Sequence, residues 1–387
     1  MHCRVVQFQQ REPTHNVPVA SLSRISRLPI SSTQSPCLHF ARALSRSTAP
    51  SGRPTKITFF SSKEYEIDSF NRCKNDKVEF DYHETKLQPS TVALAKGSDA
   101  ICLVVNDKAD AETLKKVKEA GIKLLALRCA GADNVDLKKA HELGITVVSV
   151  PQYSPDAVAE FAVGMMLTVI RKFHKSYNRV RENNFSLEGL LGFNIKERTI
   201  GVIGTGAIGL RVARILSHGF GAKVIGYDPF INEELKNDPK FTYVSFDDLL
   251  AQADIITLHS PLLPSTKHLI NGETIAKMKE GVVLINTSRG GLVDSKALVE
   301  GLKSKKLSAA GLDVYEKEAR YFFQDKSQSV IQDDVLARLL GFNNVFISGH
   351  QAFLTKEALT SIAKTTLDNV NAVVNGEDCP NVLKAPK

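Results

Sequence analysis

The stretch Thr199-Ile-Gly-Val-Ile-Gly-Thr-Gly-Ala-Ile-Gly209 joins a short β-branched run to three glycines with the spacing G-x-G-x-x-G. In such a turn Gly204 allows the chain to reverse, Gly206 lets the backbone approach a pyrophosphate, and Gly209 lets the next helix pack on the strand. Apolar residues with helical spacing follow the third glycine, so a helix N-terminus would face the phosphates. The pattern predicts a strand–turn–helix unit that binds a dinucleotide.

The next apolar run ends in an acidic residue, Asp228, nineteen positions after Gly209. An acidic residue about 20 residues beyond the glycines accepts hydrogen bonds from the ribose hydroxyls and repels a 2′-phosphate. The alternative is a surface aspartate that opens the turn Asp228-Pro229. We predict NAD rather than NADP as the cofactor.

The positive charge of the chain is concentrated at its beginning. Residues 1–55 contain seven arginines, no lysine and one acid, Glu12, and so carry +6 of the net charge of +8. The remaining chain is close to neutral, which argues against a nucleic-acid partner. An Arg- and Ser-rich segment with almost no acid is typical of an organellar transit peptide. We predict a leader over residues 1–55 that directs mitochondrial import; the alternatives are a plastid address and an untargeted, cytoplasmic protein.

Other classes of protein are disfavoured by composition. No apolar run approaches the ~18 residues that a membrane helix needs, so no membrane partner is predicted. The six cysteines form no C-x-x-C pair, which indicates neither a zinc site nor a disulfide framework. No metal is predicted.

Strand patterns alternate with helical patterns from Lys56 onward, which predicts an α/β protein with doubly wound parallel sheets. Strands are expected in the first unit at 57–60, 78–82, 100–105, 124–128 and 145–150. Strands are expected in the second unit at the glycine turn, 224–227, 255–258, 282–286, 309–314 and 345–348. Six strands with alternating helices make a complete dinucleotide-binding unit.

These patterns divide the chain into two domains with a cleft between them. We predict a flavodoxin-like catalytic (substrate) domain over 56–152 and a Rossmann NAD-binding domain over 153–352. The last helix, 355–374, has no strand partner in the second unit, so residues 353–387 are expected to complete the first. One long helix is expected from Ser154 to about Arg181. Its first part is nearly all apolar, which suggests a domain crossing or a subunit interface.

Polar residues follow three strands of the second unit and are expected at one edge of its sheet. Hydride transfer to a keto acid needs a cation for the carboxylate, and Arg289 provides a bidentate guanidinium. It also needs a proton donor, a task that suits His350. A carboxylate, Glu318, would orient the imidazole and favour its charged form. Taken singly, each residue also fits a non-catalytic role. His350 could be an ordinary loop histidine, Arg289 could cap a helix or bind a cofactor phosphate, and Glu318 could be a solvated surface residue.

Several longer stretches carry a family resemblance. They are Leu127-Arg-Cys-Ala-Gly-Ala-Asp-Asn-Val-Asp136, Val150-Pro-Gln-Tyr-Ser-Pro-Asp-Ala-Val-Ala-Glu160, Asn184-Phe-Ser-Leu-Glu-Gly-Leu190, the glycine turn, Asn286-Thr-Ser-Arg-Gly-Gly-Leu-Val-Asp294 and Gly349-His-Gln-Ala-Phe-Leu-Thr355. From Lys56 to about Leu383 the chain resembles the D-isomer-specific 2-hydroxyacid dehydrogenases, and among them the bacterial-type fermentative D-lactate dehydrogenases. Two positions depart from the pattern of many members: Gly349 stands for a proline and Phe161 for a histidine.

The resemblance implies a catalytic triad of Arg289, Glu318 and His350. It implies that Ala130 and Gly131 offer backbone N–H groups to the substrate carboxylate beside Arg289, and that Tyr153 lines the substrate pocket. The implied cofactor contacts are Gly204, Gly206, Ala207, Ile208, Gly209, Asp228, Ser260, Pro261, Thr266, Thr287, Ser288 and Asp313.

The implied activity is reduction of pyruvate to D-lactate by NADH in a homodimer or higher homo-oligomer. One alternative is a reductase of another 2-keto acid: 2-ketobutyrate, hydroxypyruvate, glyoxylate or phenylpyruvate. A second is a non-enzymatic, NAD-sensing protein of the corepressor kind. An L-lactate or malate dehydrogenase is disfavoured, because those enzymes place the glycine turn near the N-terminus, whereas here about 140 structured residues are predicted before it.

Overall fold

The computed structural model describes residues 53–385. The targeting role predicted for the leader therefore lies outside the described residues, apart from the last three positions of that segment. The first strand begins at Thr55, one residue inside the predicted leader. Across residues 53–385 none of the helices has the length and hydropathy needed to cross a bilayer.

The first unit is a parallel sheet flanked by helices. Its elements are β1 (Thr55–Phe59), α1 (Glu64–Cys73), β2 (Val78–Tyr82), β3 (Ala100–Leu103), α2 (Ala111–Glu119), β4 (Leu124–Leu127), α3 (Leu137–Glu142) and β5 (Thr146–Val148). The strand order is β2-β1-β3-β4-β5, with every pair parallel. This is the flavodoxin-like order, in which ligands bind outside the carboxyl ends of the strands.

Local sequence explains these elements. The strands β3 and β4 read Ala-Ile-Cys-Leu and Leu-Leu-Ala-Leu and are buried throughout, as expected for strands covered by helices on both faces. Asp110 and Asp136 begin α2 and α3 by accepting hydrogen bonds from the N–H groups of Thr113 and Lys139.

The second unit is larger. Its elements are α4 (Pro155–Ile170), α5 (Phe173–Arg181), β6 (Thr199–Ile203), α6 (Ala207–Arg214), β7 (Lys223–Tyr227), α7 (Glu233–Lys236), β8 (Phe241–Tyr243), α8 (Phe246–Gln252), β9 (Ile255–Leu258), α9 (Gly272–Lys277), β10 (Val282–Asn286), α10 (Ser295–Lys303), β11 (Leu307–Leu312), α11 (Asp334–Leu340) and β12 (Val345–Ile347). The order β12-β11-β10-β9-β6-β7-β8 is that of a Rossmann sheet extended by one strand.

Two predictions for this unit were wrong. In the described chain the sheet has seven strands rather than six, because the three-residue β8 pairs with β7 at the sheet edge. The long helix expected from Ser154 to Arg181 is two helices. The chain takes a left-handed conformation at Lys172 (φ 56°), and this ends the α-helical path after Ile170.

The two helices of this broken segment have different surroundings. The first, α4, packs in the core of the second unit. Its Met165 lies so close to β11 that a Cβ on Gly311 would come within 2.6 Å of the Met165 Cγ. None of the residues of α5, by contrast, is buried in the described structure.

The last helix, α12 (Lys356–Asn375), packs on the first sheet. Its Ile362, Leu367 and Val370 join a core cluster with Phe59 of β1. Its Asn369 donates a hydrogen bond of 2.8 Å to the carbonyl of Ser149, just after β5. The chain thus leaves the first unit after β5 and returns to it at its end.

Candidate active site

The glycine turn between β6 and α6 has the steric features of a phosphate cradle. Gly204 has a φ of +91°, and a Cβ there would approach the His259 backbone to 2.6 Å. A Cβ on Gly209 would overlap the Gly204 carbonyl oxygen, whereas one on Gly206 would meet no described atom within 4 Å. The first and third glycines are therefore required by close packing within the protein, whereas the second faces open space. This space lies at the N-terminus of α6, where the N–H groups of Ala207 and Ile208 have no partner within the helix.

Asp228 closes the other side of this turn. Its carboxylate accepts hydrogen bonds from the N–H groups of Thr205 (2.7 Å) and Phe230 (2.8 Å). These bonds hold the carboxylate at the end of β7, beside the glycine turn, and a carboxylate oxygen can accept more than one hydrogen bond. The arrangement fits a ribose with free hydroxyl groups.

Two buried polar atoms at the same sheet edge also fit a cofactor. Thr287 Oγ1 and His259 Nδ1 follow β10 and β9, and neither has a hydrogen-bond partner among the described residues. Buried polar atoms are rarely left unpaired, so both atoms could form hydrogen bonds with a cofactor bound at this edge. Burial also lowers the pKa of His259 to about 3, which makes its ring neutral.

The remaining predicted cofactor residues shape the loops around this edge. Ser288 donates a hydrogen bond of 2.6 Å to the Ser260 carbonyl and so joins the loops after β9 and β10. Thr266 donates a hydrogen bond of 2.7 Å to the Pro261 carbonyl and so fixes the turn over residues 261–266, after β9.

His350 and Glu318 form a hydrogen-bonded pair. The Nδ1 atom of His350 lies 2.8 Å from Glu318 Oε1, and the other carboxylate oxygen of Glu318 accepts the Tyr315 N–H at 3.0 Å. The carboxylate is thereby fixed behind the imidazole, and Nε2 is the ring nitrogen left for a substrate.

Asp313, predicted as a cofactor contact, is buried and supports the loop that carries His350. Its side chain is 0% exposed, and its carboxylate accepts the N–H groups of Gln351 (2.8 Å) and Ala352 (3.0 Å). Its carbonyl accepts the N–H of His350 at 2.7 Å. His350 itself has a φ of +57°, an uncommon conformation for a residue other than glycine. Asp313 thus holds the strained loop that presents the imidazole.

Arg289 shares a cavity of about 320 Å³ with His350. This cavity is also lined by Ala130, Gly131 and Tyr153 of the neighbouring segments. A Cβ on Gly131 would lie 2.6 Å from Arg289 Nη2, so the guanidinium rests directly on the predicted carboxylate-binding loop. The structure therefore brings all three predicted catalytic residues together with the predicted substrate-binding residues.

Sequence reasoning missed several residues of the cavity. Phe322, Phe323 and Gln324 line it from the loop after Glu318, and the Phe323 ring centroid is 5.7 Å from that of His350. This loop has no hydrophobic periodicity that would have marked it. Arg128 also lines the cavity, and the sequence could have indicated it, because it is a charged residue at the carboxyl end of a predicted strand, within a quoted motif. Glu316, two residues before Glu318, pairs with His268: its Oε1 lies 2.7 Å from His268 Nε2.

Replacement of Asp228 by serine is expected to weaken NADH binding roughly tenfold to a hundredfold, since hydrogen bonds to a charged group contribute about 1.5–3 kcal/mol. NADPH binding should suffer less, because the charge that repels a 2′-phosphate is removed. Fluorescence titration of both cofactors measures the two affinities. Asp247→Ser on α8, where the carboxylate pairs with Lys277, is the control. If the ratio of the NADH and NADPH dissociation constants were the same in Asp228→Ser as in the wild type, Asp228 would not recognise the ribose.

Comparisons with known proteins identify the family of the chain. A family profile described as "D-isomer specific 2-hydroxyacid dehydrogenase, NAD binding domain" matches residues 163–352. A 2-hydroxyacid dehydrogenase homolog of Haemophilus influenzae is 50% identical over 334 residues, which cover 85% of this chain and 99% of the relative. The D-lactate dehydrogenase of Escherichia coli is 46% identical over 329 residues, with coverage of 85% and 99%.

A solved structure gives the same result. The pyruvate reductase of Chlamydomonas reinhardtii superposes with a TM-score of 0.80 at 44% identity, covering 85% of this chain and 99% of that one. The predicted family, the two parallel-sheet domains and NAD as cofactor are confirmed. The chain belongs to the D-isomer-specific 2-hydroxyacid dehydrogenases and is an NAD-dependent enzyme of that family.

Proposed function

We propose that this enzyme reduces pyruvate to D-lactate. The observation that carries the proposal is the Glu318–His350 pair, 2.8 Å apart, in the wall of the cavity that also contains the Arg289 guanidinium. The names of the relatives support the choice of substrate: one is a D-lactate dehydrogenase and one structural neighbour is a pyruvate reductase. When bound, NADH supplies the hydride.

The residues of the chain would divide the remaining work. Arg289 and the N–H groups of Ala130 and Gly131 hold the keto-acid carboxylate, since a guanidinium matches a carboxylate bidentately. His350 donates the proton from Nε2 to the carbonyl oxygen as charge develops there. Glu318 holds the imidazole in place and stabilises its positive charge before transfer.

Other 2-keto acids remain candidates because the cavity is larger than pyruvate requires. Pyruvate has six non-hydrogen atoms and occupies the volume of three or four water molecules, roughly 100 Å³ at about 30 Å³ per water. The cavity measures about 320 Å³, and the aromatic rings of Phe322, Phe323 and Phe353 line it. A longer or aromatic 2-keto acid would find both space and apolar contacts.

A substrate panel tests the proposal. NADH consumption should be measured with pyruvate, 2-ketobutyrate, phenylpyruvate, glyoxylate and hydroxypyruvate, and the product should be separated on a chiral column. The highest kcat/KM for pyruvate with a D-lactate product is expected. A higher value for phenylpyruvate or hydroxypyruvate would reassign the substrate. NADH binding without turnover of any 2-keto acid would favour the non-enzymatic alternative.

We further propose that the enzyme is a homodimer built on α5 and the segment after it. Five large apolar side chains there are 52–88% exposed: Phe173, Tyr177, Phe185, Leu187 and Leu191. Large exposed apolar side chains concentrated in one segment indicate an interaction surface, and a second copy of the chain offers a self-complementary partner.

The dimer is testable by light scattering. The wild type should have at least twice the mass of one chain, and a double replacement of Leu187 and Leu191 by glutamate should shift it toward the monomer, because two charges would be buried in an apolar contact. Leu340→Glu on α11, also exposed, should leave the mass unchanged. A wild type that is monomeric at micromolar concentration would contradict the proposal.

A further inference from the structure

A buried ion pair lies in the wall of the substrate cavity, outside the catalytic triad. Arg128 follows β4, and its side chain is 0% exposed. Its Nε donates to Glu66 Oε1 at 2.8 Å, and its Nη2 lies 3.1 Å from Glu66 Oε2. Burial of two charges costs about as much as their attraction returns, so such a pair is weak evidence for a role in stability alone. Its position suggests another role.

The guanidinium also binds the backbone of two neighbouring strand ends. Its Nη2 donates to the carbonyls of Phe60 (2.9 Å) and Ser61 (3.1 Å), just after β1. Its Nη1 lies 3.4 Å from the carbonyl of Cys102 in β3. A planar guanidinium has five N–H donors in a fixed fork, so these bonds determine its orientation.

A second buried carboxylate extends the cluster. Asp107 is 2% exposed and accepts hydrogen bonds from the Ser61 hydroxyl (2.7 Å), the Leu87 N–H (2.8 Å) and the Val104 N–H (2.8 Å). Burial raises the pKa of Asp107. Ser61, which has a φ of +52°, thus binds both Arg128, through its carbonyl, and Asp107, through its hydroxyl.

The cluster of Glu66, Arg128 and Asp107 therefore joins the loops at the carboxyl ends of β1, β2, β3 and β4. Those loops form the first-unit wall of the cavity, to which they contribute Ser61, Lys86, Val104 and Gly131. Arg128 directly precedes Cys129, Ala130 and Gly131, and Gly131 packs against Arg289. The loop of Ala130 and Gly131, whose N–H groups are predicted to bind the substrate carboxylate, thus begins directly after a residue whose guanidinium is held by Glu66 and by two strand ends.

We propose that Arg128, held by Glu66, is a positioning residue for 2-keto-acid binding. It sets the distance between the N–H groups of the 129–131 loop and the Arg289 guanidinium, so that both engage one carboxylate. Arg128 does not touch the reacting atoms. A displacement of about 1 Å in such a binding group costs on the order of a hundredfold, so the loss should be seen in substrate affinity. The inference rests on the proposed reduction of a 2-keto acid in this cavity, not on the choice of pyruvate.

Two variants test the role. Arg128→Lys keeps a positive charge but loses the fork that binds two carboxylate oxygens and two strand ends. Glu66→Gln keeps the shape and one acceptor oxygen but removes the charge that fixes the guanidinium. Both are expected to raise KM for the best 2-keto acid tenfold or more, with a smaller change in kcat and an unchanged Kd for NADH. Each variant should also bind oxamate, an unreactive carboxylate analogue of the substrate, more weakly by a similar factor.

The matched control is Arg53→Lys. Arg53, two residues before β1, donates two hydrogen bonds of 3.0 and 2.6 Å to the Asp99 carboxylate of the first unit, on the exposed surface. It should leave KM unchanged. The melting temperature and the NADH Kd of every variant separate local misplacement from general loss of structure.

Three results would overturn the proposal. Folded variants with wild-type KM would show that the loop keeps its position without the pair. A parallel loss of NADH affinity and keto-acid affinity would show a general structural role, as would failure of both variants to fold. A wild type without activity on any 2-keto acid would instead contradict the proposed function, and would be recognised before any variant is made.

Discussion

Replacing His350 by asparagine is expected to lower kcat at least a hundredfold while the NADH dissociation constant changes little. A positioned general acid contributes about 10²–10⁴ in rate, and Glu318 holds this imidazole at 2.8 Å with its second nitrogen left for the substrate. Asparagine is preferred to alanine because His350 has a φ of +57°, a region that asparagine tolerates better than most residues. The variant thus removes the acid and keeps the loop.

Steady-state kinetics and NADH fluorescence titration together measure this effect. His218→Asn is the control, because that histidine lies on the surface and pairs with Asp238. Full turnover by the His350→Asn enzyme would remove the residue from its assigned role. A large loss of NADH affinity would point instead to disruption of the loop that Asp313 holds.

Replacing Arg289 by leucine is expected to reduce kcat/KM for the keto acid by about 10²–10⁴. The variant loses two charge-assisted hydrogen bonds to the substrate carboxylate, each worth about 1.5–3 kcal/mol. Most of the loss should be in KM. The kcat/KM of Arg289→Lys should lie between those of the leucine variant and the wild type. Lysine keeps the charge but cannot bind a carboxylate with a planar fork.

The same kinetics on Arg211→Leu provide the control, because Arg211 pairs with Asp156 outside the cavity. Asp133 Oδ2 lies 3.7 Å from Arg289 Nε, so the guanidinium also has one carboxylate neighbour on the protein. Equal kcat/KM values for the leucine variant and the wild type would exclude Arg289 as the carboxylate clamp.

Much of the cofactor-binding fold could be predicted because glycine spacing and strand ends are local signals. The turn is predicted by the spacing of Gly204, Gly206 and Gly209, and Asp228 follows at the end of the next strand. Arg289 and His350 could be placed at one edge because the carboxyl ends of parallel strands meet there. The distance between His350 and Glu318, by contrast, depends on how the loops fold back and has no local signal.

The failures have physical causes of the same kind. The strand β8 has three residues, too few to show an alternating pattern. The break at Lys172 requires a left-handed conformation at a residue that ordinarily favours helix. The orientation of a side chain is a separate matter: Asp313 follows a strand like the other site residues, and its carboxylate accepts hydrogen bonds from the backbone of Gln351 and Ala352. Sequence could place it at the edge but could not tell which way it faces.

The return of α12 to the first sheet affects how the protein is made. The ribosome releases β1 to β5 long before the helix that covers one of their faces, because the whole second unit is synthesised between them. Domains generally fold as units in the order in which they emerge, but here the earlier one is incomplete until the later one is finished. The apolar face around Phe59, which Ile362 and Leu367 cover in the finished protein, is therefore the surface that a chaperone would have to protect during translation.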